Sequence, residues 1–476
     1  MFAAVTSVAL VGVDPRPVRV EVHVGGSTPS FSLVGLPDTA VREAKERVRS
    51  AVASSGFAFP NRRLTVNLAP ADLPKAGSAY DLPIALGILA AARIVPAAAA
   101  DVVAVGELAL DGGVRTAREG IGAALVARRQ STRCLLPLDA AVEAAAVGAD
   151  VRAVRSLAHA VAVALGDDGG VVPPPAERPA VAPPVDLGAV RGQPVARRTV
   201  EIAAAGGHHL LMVGPPGGGK TMLARALPGL LPPLDGDAAL EVARIWAAAG
   251  RVRGVSVAPP FRAPHHRTSA AGLIGGGSRL PRPGALSLAH RGVLFLDELG
   301  EFPPHLLDAL RQPLESGTVE IGRAAGTVEF PSRIQLVAAT NPCPCGHLGD
   351  PRVPCRCPDA AVARYRRRLS GPLLDRFDLR IVVPRVALGD LEGEPPEATA
   401  DVRPRVLDAR RRLDAGPPVI GEAARRLVRS AGERLSLTAR GVDRIWRVAR
   451  TIAALGDAEI VAEEHAAEAL ALRVDP

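Results

Sequence analysis

The chain has 476 residues, enough for about three domains that each bury a core, and 48% of them are hydrophobic, which excludes a disordered or low-complexity protein. Its formal net charge of +8 is compatible with a nucleic-acid partner, while aromatic residues make up only 3%. No uninterrupted apolar run reaches membrane-spanning length and residues 1–13 show no basic leader or cleavage site, so a cytoplasmic protein without a membrane partner is expected, its five cysteines outside structural disulfides.

Residues 1–165 form the first unit. Residues 1–13 read as an opening strand, and Val18-Arg19-Val20-Glu21-Val22-His23-Val24 alternates with period two, as a half-buried strand does. Thr39–Ser54 has helical periodicity, Leu64-Thr65-Val66-Asn67-Leu68 is another strand, and Asp81 opens an apolar helix through Ala92. Strands at 102–107 and 134–137 enclose a helix at 121–129, giving a mixed α+β class, with Cys134 in the core. Residues 166–186 are rich in Pro, Gly and Asp and read as a linker. An α/β nucleotide-binding unit follows over 187–386. Helical segments at 403–413, 421–431, 438–454 and 462–473, without strand signals, make 387–476 a helical lid.

Within the second unit stands Gly214-Pro215-Pro216-Gly217-Gly218-Gly219-Lys220-Thr221, which fits G-x-x-x-x-G-K-[ST] at every fixed position. It lies between an apolar strand (His209 to Val213) and the start of a helix (Met222 to Leu227), the context the motif requires. Glycines let backbone N–H groups close around a polyphosphate, and the helix N-terminus adds its positive end. Lys220 is expected at the β/γ-phosphates of ATP, and the Thr221 hydroxyl on Mg²⁺. Lysine occurs only at positions 45, 75 and 220, so a chain that otherwise uses arginine places a flexible point charge here.

Three further segments suit the same chemistry. Gly292-Val293-Leu294-Phe295-Leu296-Asp297-Glu298 is an apolar strand ending in two carboxylates, Asp297 for the Mg²⁺ sphere and Glu298 to polarise the attacking water. Gln335 to Asn341 is another such strand, and the Asn341 amide can orient water against the γ-phosphate. Arg376 lies in a short loop before the strand 379–383 and suits transition-state charge, and Arg440, opening the last long helix, is placed to reach the phosphates from the lid. Two alternating runs around a Gly/Ala turn, Gly317 to Phe330, predict a β-hairpin carrying Arg323. Cys343, Cys345, Cys355 and Cys357 form two C-x-C pairs, a donor set for tetrahedral Zn²⁺ at a spacing tighter than C-x₂-C.

The order Gly214–Thr221, Asp297-Glu298, Asn341, Arg376, Arg440 resembles the AAA+ ATPases. More narrowly, the chain resembles the magnesium-chelatase-like YifB/ComM family through Phe261-Arg262-Ala263-Pro264-His265-His266, Ser287 to Glu298, Leu373-Leu374-Asp375-Arg376-Phe377-Asp378, Val34-Gly35-Leu36-Pro37-Asp38 and Val66 to Lys75. The resemblance spans essentially the whole chain, with a lid that looks shortened around residues 413–420. It implies an α/β AAA+ P-loop core, a Lon-protease-like N-terminal domain and a C-terminal helical lid. It makes Asn341 sensor 1, Arg376 the arginine finger, Arg440 sensor 2, and 317–330 the pre-sensor-1 hairpin, with a second insertion around 261–284. Such hairpins project into a ring pore, where Arg323 would meet a phosphate backbone. The implied activity is that of a homo-hexameric ATPase moving branched or single-stranded DNA without regard to sequence; a chelatase-type or protein-remodelling ATPase acting on a partner protein is the alternative. In the first unit Lys75-Ala76-Gly77-Ser78-Ala79 resembles the segment with that protease's serine. No lysine follows Lys75 there to serve as base, so a non-proteolytic interaction domain is expected.

Overall fold

The computed structural model describes residues 1–473 apart from 168, 173–184, 252–253, 278–280, 324–325, 351 and 436. Most of the predicted linker at 166–186 therefore lies outside the described residues. The chain divides into two compact units, Met1–Pro179 with Gly236–Ser256, and Ala180–Asp235 with Val257–Pro476. Among the described residues no helix is long and apolar enough to cross a membrane.

In the first unit, β1 (Phe2–Val11) and β2 (Asp14–Gly25) form an antiparallel hairpin closed by Gly12-Val13, with Gly12 at a φ of 63°. Period-two patterning does what was expected of it. Val18, Val20, Val22 and Val24 are buried while Arg19 and His23 face water; each buried valine contributes roughly 1.5–3 kcal/mol. With β3 (Ser30–Val34), β4 (Arg63–Ala69), β5 (Val102–Ala104), β6 (Arg133–Pro137) and β7 (Val151–Val154), they make a mixed seven-stranded sheet in the order β3-β4-β2-β1-β5-β6-β7. Helix α1 (Thr39–Ser54) is capped by Asp38, whose carboxylate accepts from the Val41 N–H at 2.8 Å. Helix α2 (Asp81–Ala91) is buried all round, including Asp81. That carboxylate is tolerable because Arg47 donates to both its oxygens, at 2.6 and 3.0 Å, and Leu108 N–H adds a third bond. Cys134 is fully buried in the core.

The segment Gly236–Ser256, expected with 187–386, belongs to this first unit. Its helix, α3 (Gly236–Ala248), packs Leu240 and Ala243 into a cluster with Val8 and Ile121. On the same helix Arg244 donates to the Val13 carbonyl at 2.7 Å and to Asp14 at 2.9 Å.

The second unit carries β8 (Leu210–Val213), β9 (Phe261–Arg262), β10 (Val293–Leu296), β11 (Gln335–Thr340) and β12 (Leu379–Val382), all parallel, in the order β9-β10-β11-β8-β12. Strand β8 is thus flanked by β11 and β12, which sets the ends of three apolar strands side by side. Such strands read as near-continuous hydrophobic runs because both faces are covered. Every residue of β8, β10 and β11 is buried. The C-terminal helices α4 (Thr399–Ala415), α5 (Glu422–Arg434), α6 (Ala439–Leu455) and α7 (Glu463–Ala471) match the four predicted segments. They share one apolar cluster with the sheet, joining Val406, Val448 and Ile452 to Leu210 and Met212. Strands were not expected here, yet Val419–Ile420 and Ile460–Val461 pair in parallel, a two-residue contact too short to show in a periodic pattern. The predicted hairpin forms between Thr318–Arg323 and Gly326–Pro331, and around 261–284 Gly275–Gly276 pairs with Arg282–Pro283.

Candidate functional site

The phosphate loop leaves β8 at Gly214, whose N–H donates to the Thr340 carbonyl at 3.1 Å. A Cβ at Gly214 would sit 2.0 Å from the Val383 carbonyl oxygen, so no other residue fits beneath this loop. Gly217 and Gly219 hold φ of 80° and 86°, the left-handed region that glycine enters without cost. Gly219 then caps the helix Lys220–Leu230 without a side chain to take up its first N–H groups, as an anion-binding helix start requires. Gly218 and the Pro384 carbonyl are tied together by Gln193, whose side-chain amide donates to Gly218 O at 3.0 Å and Pro384 O at 2.6 Å. Nothing in the sequence around Gln193 signals this brace.

Lys220 is buried with its ammonium donating to Gly214 O at 2.6 Å, Pro215 O at 2.9 Å and Asn341 Oδ1 at 3.4 Å. Desolvation lowers its pKa, partly offset by Asp297. The sheet order explains the contact with Asn341, since that residue directly follows β11, the neighbour of β8. One strand further, β10 delivers Asp297. Thr221 Oγ1 donates to Asp297 Oδ2 at 2.8 Å, so the two groups expected on Mg²⁺ already face each other. A hydroxyl and a carboxylate as hard oxygen donors beside a phosphate loop fit Mg²⁺, which, when bound, supplies positive charge to the phosphate oxygens.

Glu298 follows with a φ of 53°, a left-handed turn costing roughly 1–3 kcal/mol that swings its carboxylate off the strand axis. Its Oε2 lies 3.1 Å from His266 Nδ1, and the His266 ring lies 4.1 Å, centroid to centroid, from that of His265. His266 belongs to the Ala-Pro-His-His segment read only as a resemblance, and its partnership with Glu298 is a finding of the structure.

Arg376 is buried, and its guanidinium binds Glu315 at 2.5 Å and the Pro372 carbonyl at 3.1 Å, while its Nε has no partner among the described residues. Arg440 is exposed in the first turn of α6. One turn on, Arg444 binds the Asp378 carboxylate at 2.6 Å and the Arg376 carbonyl at 3.0 Å. Asp378 also accepts from His209 N–H at 3.1 Å and lies 3.7 Å from His208. Burial pulls its pKa upward, but His208, His209 and Arg444 outweigh that and hold it well below the usual carboxylate range. Desolvation also pushes His209 down to about 4, although part of its surface stays accessible; its Nδ1 accepts from Leu336 N–H at 3.0 Å. This knot ties the starts of β8 and β12 to α6. Asp378 was legible as part of the Leu-Leu-Asp-Arg-Phe-Asp run; Arg444 carried no signal beyond lying four residues from Arg440. Arg323 ends its strand, and its side chain lies outside the described residues.

In the first unit Ser78 donates to Glu107, whereas Lys75 is buried and donates to the Pro70 carbonyl. The two side chains serve different partners.

The four cysteines come together. All four sulfurs lie within 4.8 Å of one another, an arrangement able to hold a metal ion.

Comparison with known proteins agrees with this geometry. The profile of the magnesium chelatase subunit ChlI matches residues 186–391, a second ChlI profile residues 20–140, and the ChlI C-terminal profile residues 418–473. An uncharacterized protein of Mycobacterium bovis is 43% identical, covering 98% of this chain and 97% of its own length. The uncharacterized protein YifB of Escherichia coli is 41% identical over 98% of this chain and 96% of its own. The competence protein ComM of Haemophilus influenzae is 41% identical over 99% and 97%. With the phosphate loop on β8, its two neighbouring strands and the helical C-terminal region in place, the chain belongs to the magnesium-chelatase-like YifB/ComM family of AAA+ proteins.

Proposed function

We propose that this chain is a cytoplasmic ATPase that assembles as a homo-hexameric ring and couples hydrolysis to movement along branched or single-stranded DNA, as in branch migration during recombination or natural transformation. The observation that carries the ATPase reading is the assembled pair Thr221–Asp297 at 2.8 Å beside Lys220. In this reading Lys220 and the loop N–H groups bind the β/γ-phosphates, Thr221 and Asp297 hold Mg²⁺, and Glu298 takes a proton from the attacking water that Asn341 orients. Arg376 serves a neighbouring subunit's nucleotide and Arg440 approaches from the lid. ATP and Mg²⁺ are the cofactors of the reaction, with Zn²⁺ at the four cysteines as a structural metal. Two supports favour DNA: 41% identity to a competence protein, and a paired hairpin, Thr318–Pro331, that carries Arg323.

A second reading, a chelatase-type or remodelling ATPase acting on a partner protein, is favoured by 26% identity to the magnesium-chelatase 38 kDa subunit of Rhodobacter capsulatus over 52% of this chain. The test is ATP hydrolysis, with and without forked, single-stranded and duplex DNA, alongside unwinding of a four-way junction. Stimulation by forked DNA with junction movement is expected; hydrolysis indifferent to every DNA turns the assignment to the partner-protein reading.

A further inference from the structure

Directly after Asn341 the chain enters the cysteine loop, and its geometry discriminates between chemistries. The Sγ–Sγ distances are 3.4 Å for Cys343–Cys345 and 3.6 Å for Cys343–Cys355 and Cys345–Cys355. A disulfide needs about 2.05 Å. Four thiolates around a tetrahedral ion with bonds of about 2.3 Å stand about 3.8 Å apart. The cluster matches the second. Backbone N–H groups of Cys345 and Cys357 point at the sulfurs of Cys357 and Cys355, both at 3.4 Å, the polarising contacts that a thiolate set accepts.

The same loop touches the nucleotide site at two places. Gly346, inside the knuckle at a φ of 83°, lies so close to the phosphate loop that a Cβ there would fall 2.7 Å from Pro216 and 3.7 Å from the Asn341 side chain. Asp350, its Oδ1 occupied by the N–H groups of Arg352 and Val353, turns Oδ2 toward Arg385 at 3.4 Å. Arg385 adjoins Pro384, whose carbonyl Gln193 ties to Gly218.

We propose that a zinc ion in Cys343, Cys345, Cys355 and Cys357 makes this loop a rigid brace, pressing Gly346 against Pro216 and fixing Asn341, so that metal occupancy sets the rate of ATP hydrolysis. The inference rests on the ATPase reading of the site and on the zinc reading of the cluster. Two cysteines adjoin the sensor strand and two lie ten or more residues on, so a ligand joining them ties the two ends of the turn together. Loss of the metal frees the Asn341 amide and the Pro216 side of the loop, while Lys220 and the loop glycines remain.

The test uses the full chain purified without chelators. About one zinc per chain is expected by elemental analysis, following the four-ligand rule, and cobalt substitution should give the visible spectrum of a tetrahedral thiolate site. Cys345→Ser should lose the metal and about 10²-fold in kcat, the cost of misplacing a reacting group by about 1 Å, while binding of a fluorescent ATP analogue changes far less. Because that variant can misfold, two measurements stand beside it. Stripping zinc from the wild type and restoring it should lower turnover by the same factor and recover it, and Gly346→Ala should keep its zinc yet lose turnover. Metal-free wild type defeats the zinc reading. A metal-free Cys345→Ser chain, or a zinc-loaded Gly346→Ala chain, with wild-type turnover defeats the brace alone. A zinc-loaded wild type without hydrolysis defeats the ATPase reading on which the brace depends.

Discussion

At the residue scale the ATPase proposal separates holding phosphate from activating water, and substitutions should separate them too. Lys220 is the buried cation in the loop, so Lys220→Ala should lose ATP binding, measured by titration with a fluorescent analogue. Glu298 follows Asp297 in sequence and pairs with His266. Glu298→Gln should bind ATP normally and hydrolyse it about 10²–10⁴ times more slowly; normal turnover by the purified variant would remove Glu298 from its role. His266 holds the Glu298 carboxylate at 3.1 Å, but that side chain is more than half exposed. Such a pair is worth about 1 kcal/mol or less, so His266→Ala should change kcat by less than about tenfold and leave ATP affinity alone.

At the element scale the knot around Asp378 joins β8, β12 and α6. Removing one partner from a buried ion pair typically costs about 3–5 kcal/mol, so Asp378→Asn should lower the midpoint of thermal unfolding clearly more than Arg440→Ala at the exposed end of the same helix. The pH dependence follows from the two shifted groups. His209 has its folded-state pKa pushed down to about 4, so the unfolded chain binds its proton first as pH falls below about 6.5. Asp378, also depressed, stabilises the fold above the usual carboxylate range, and that contribution is lost as pH falls through its folded value. Urea unfolding across pH should show stability falling from about pH 6.5 downward in the wild type, with a shallower fall below pH 4 in Asp378→Asn. Equal slopes would show that Asp378 is not responsible.

At the scale of the whole molecule, the ring proposal makes hydrolysis depend on assembly. Arg376→Ala should still bind ATP, lose hydrolysis by about 10³ or more if it acts as arginine fingers do, and poison wild-type rings in mixing experiments. If Arg323 on the hairpin meets phosphates and not bases, DNA affinity should fall with salt and ignore sequence; a sequence preference that survives high salt would contradict it. The sequence alone determined which residues make up the candidate site and most elements, because glycine spacing, strand-end carboxylates and hydrophobic period are local properties. The phosphate loop, Asp297-Glu298, Asn341, the hairpin and the four lid helices are all legible that way. Tertiary structure decided what depends on pairing between distant segments. It placed the Asn341 strand beside the phosphate-loop strand, His266 against Glu298, Glu315 on Arg376, and Arg444 on Asp378. It also assigned Gly236–Ser256 to the first unit, since a helix's apolar stripe says that it is buried but not against what. The four cysteines show the division most clearly: their spacing named the possible ligands, and only the folded loop brought the sulfurs to tetrahedral distance and set Gly346 against Pro216.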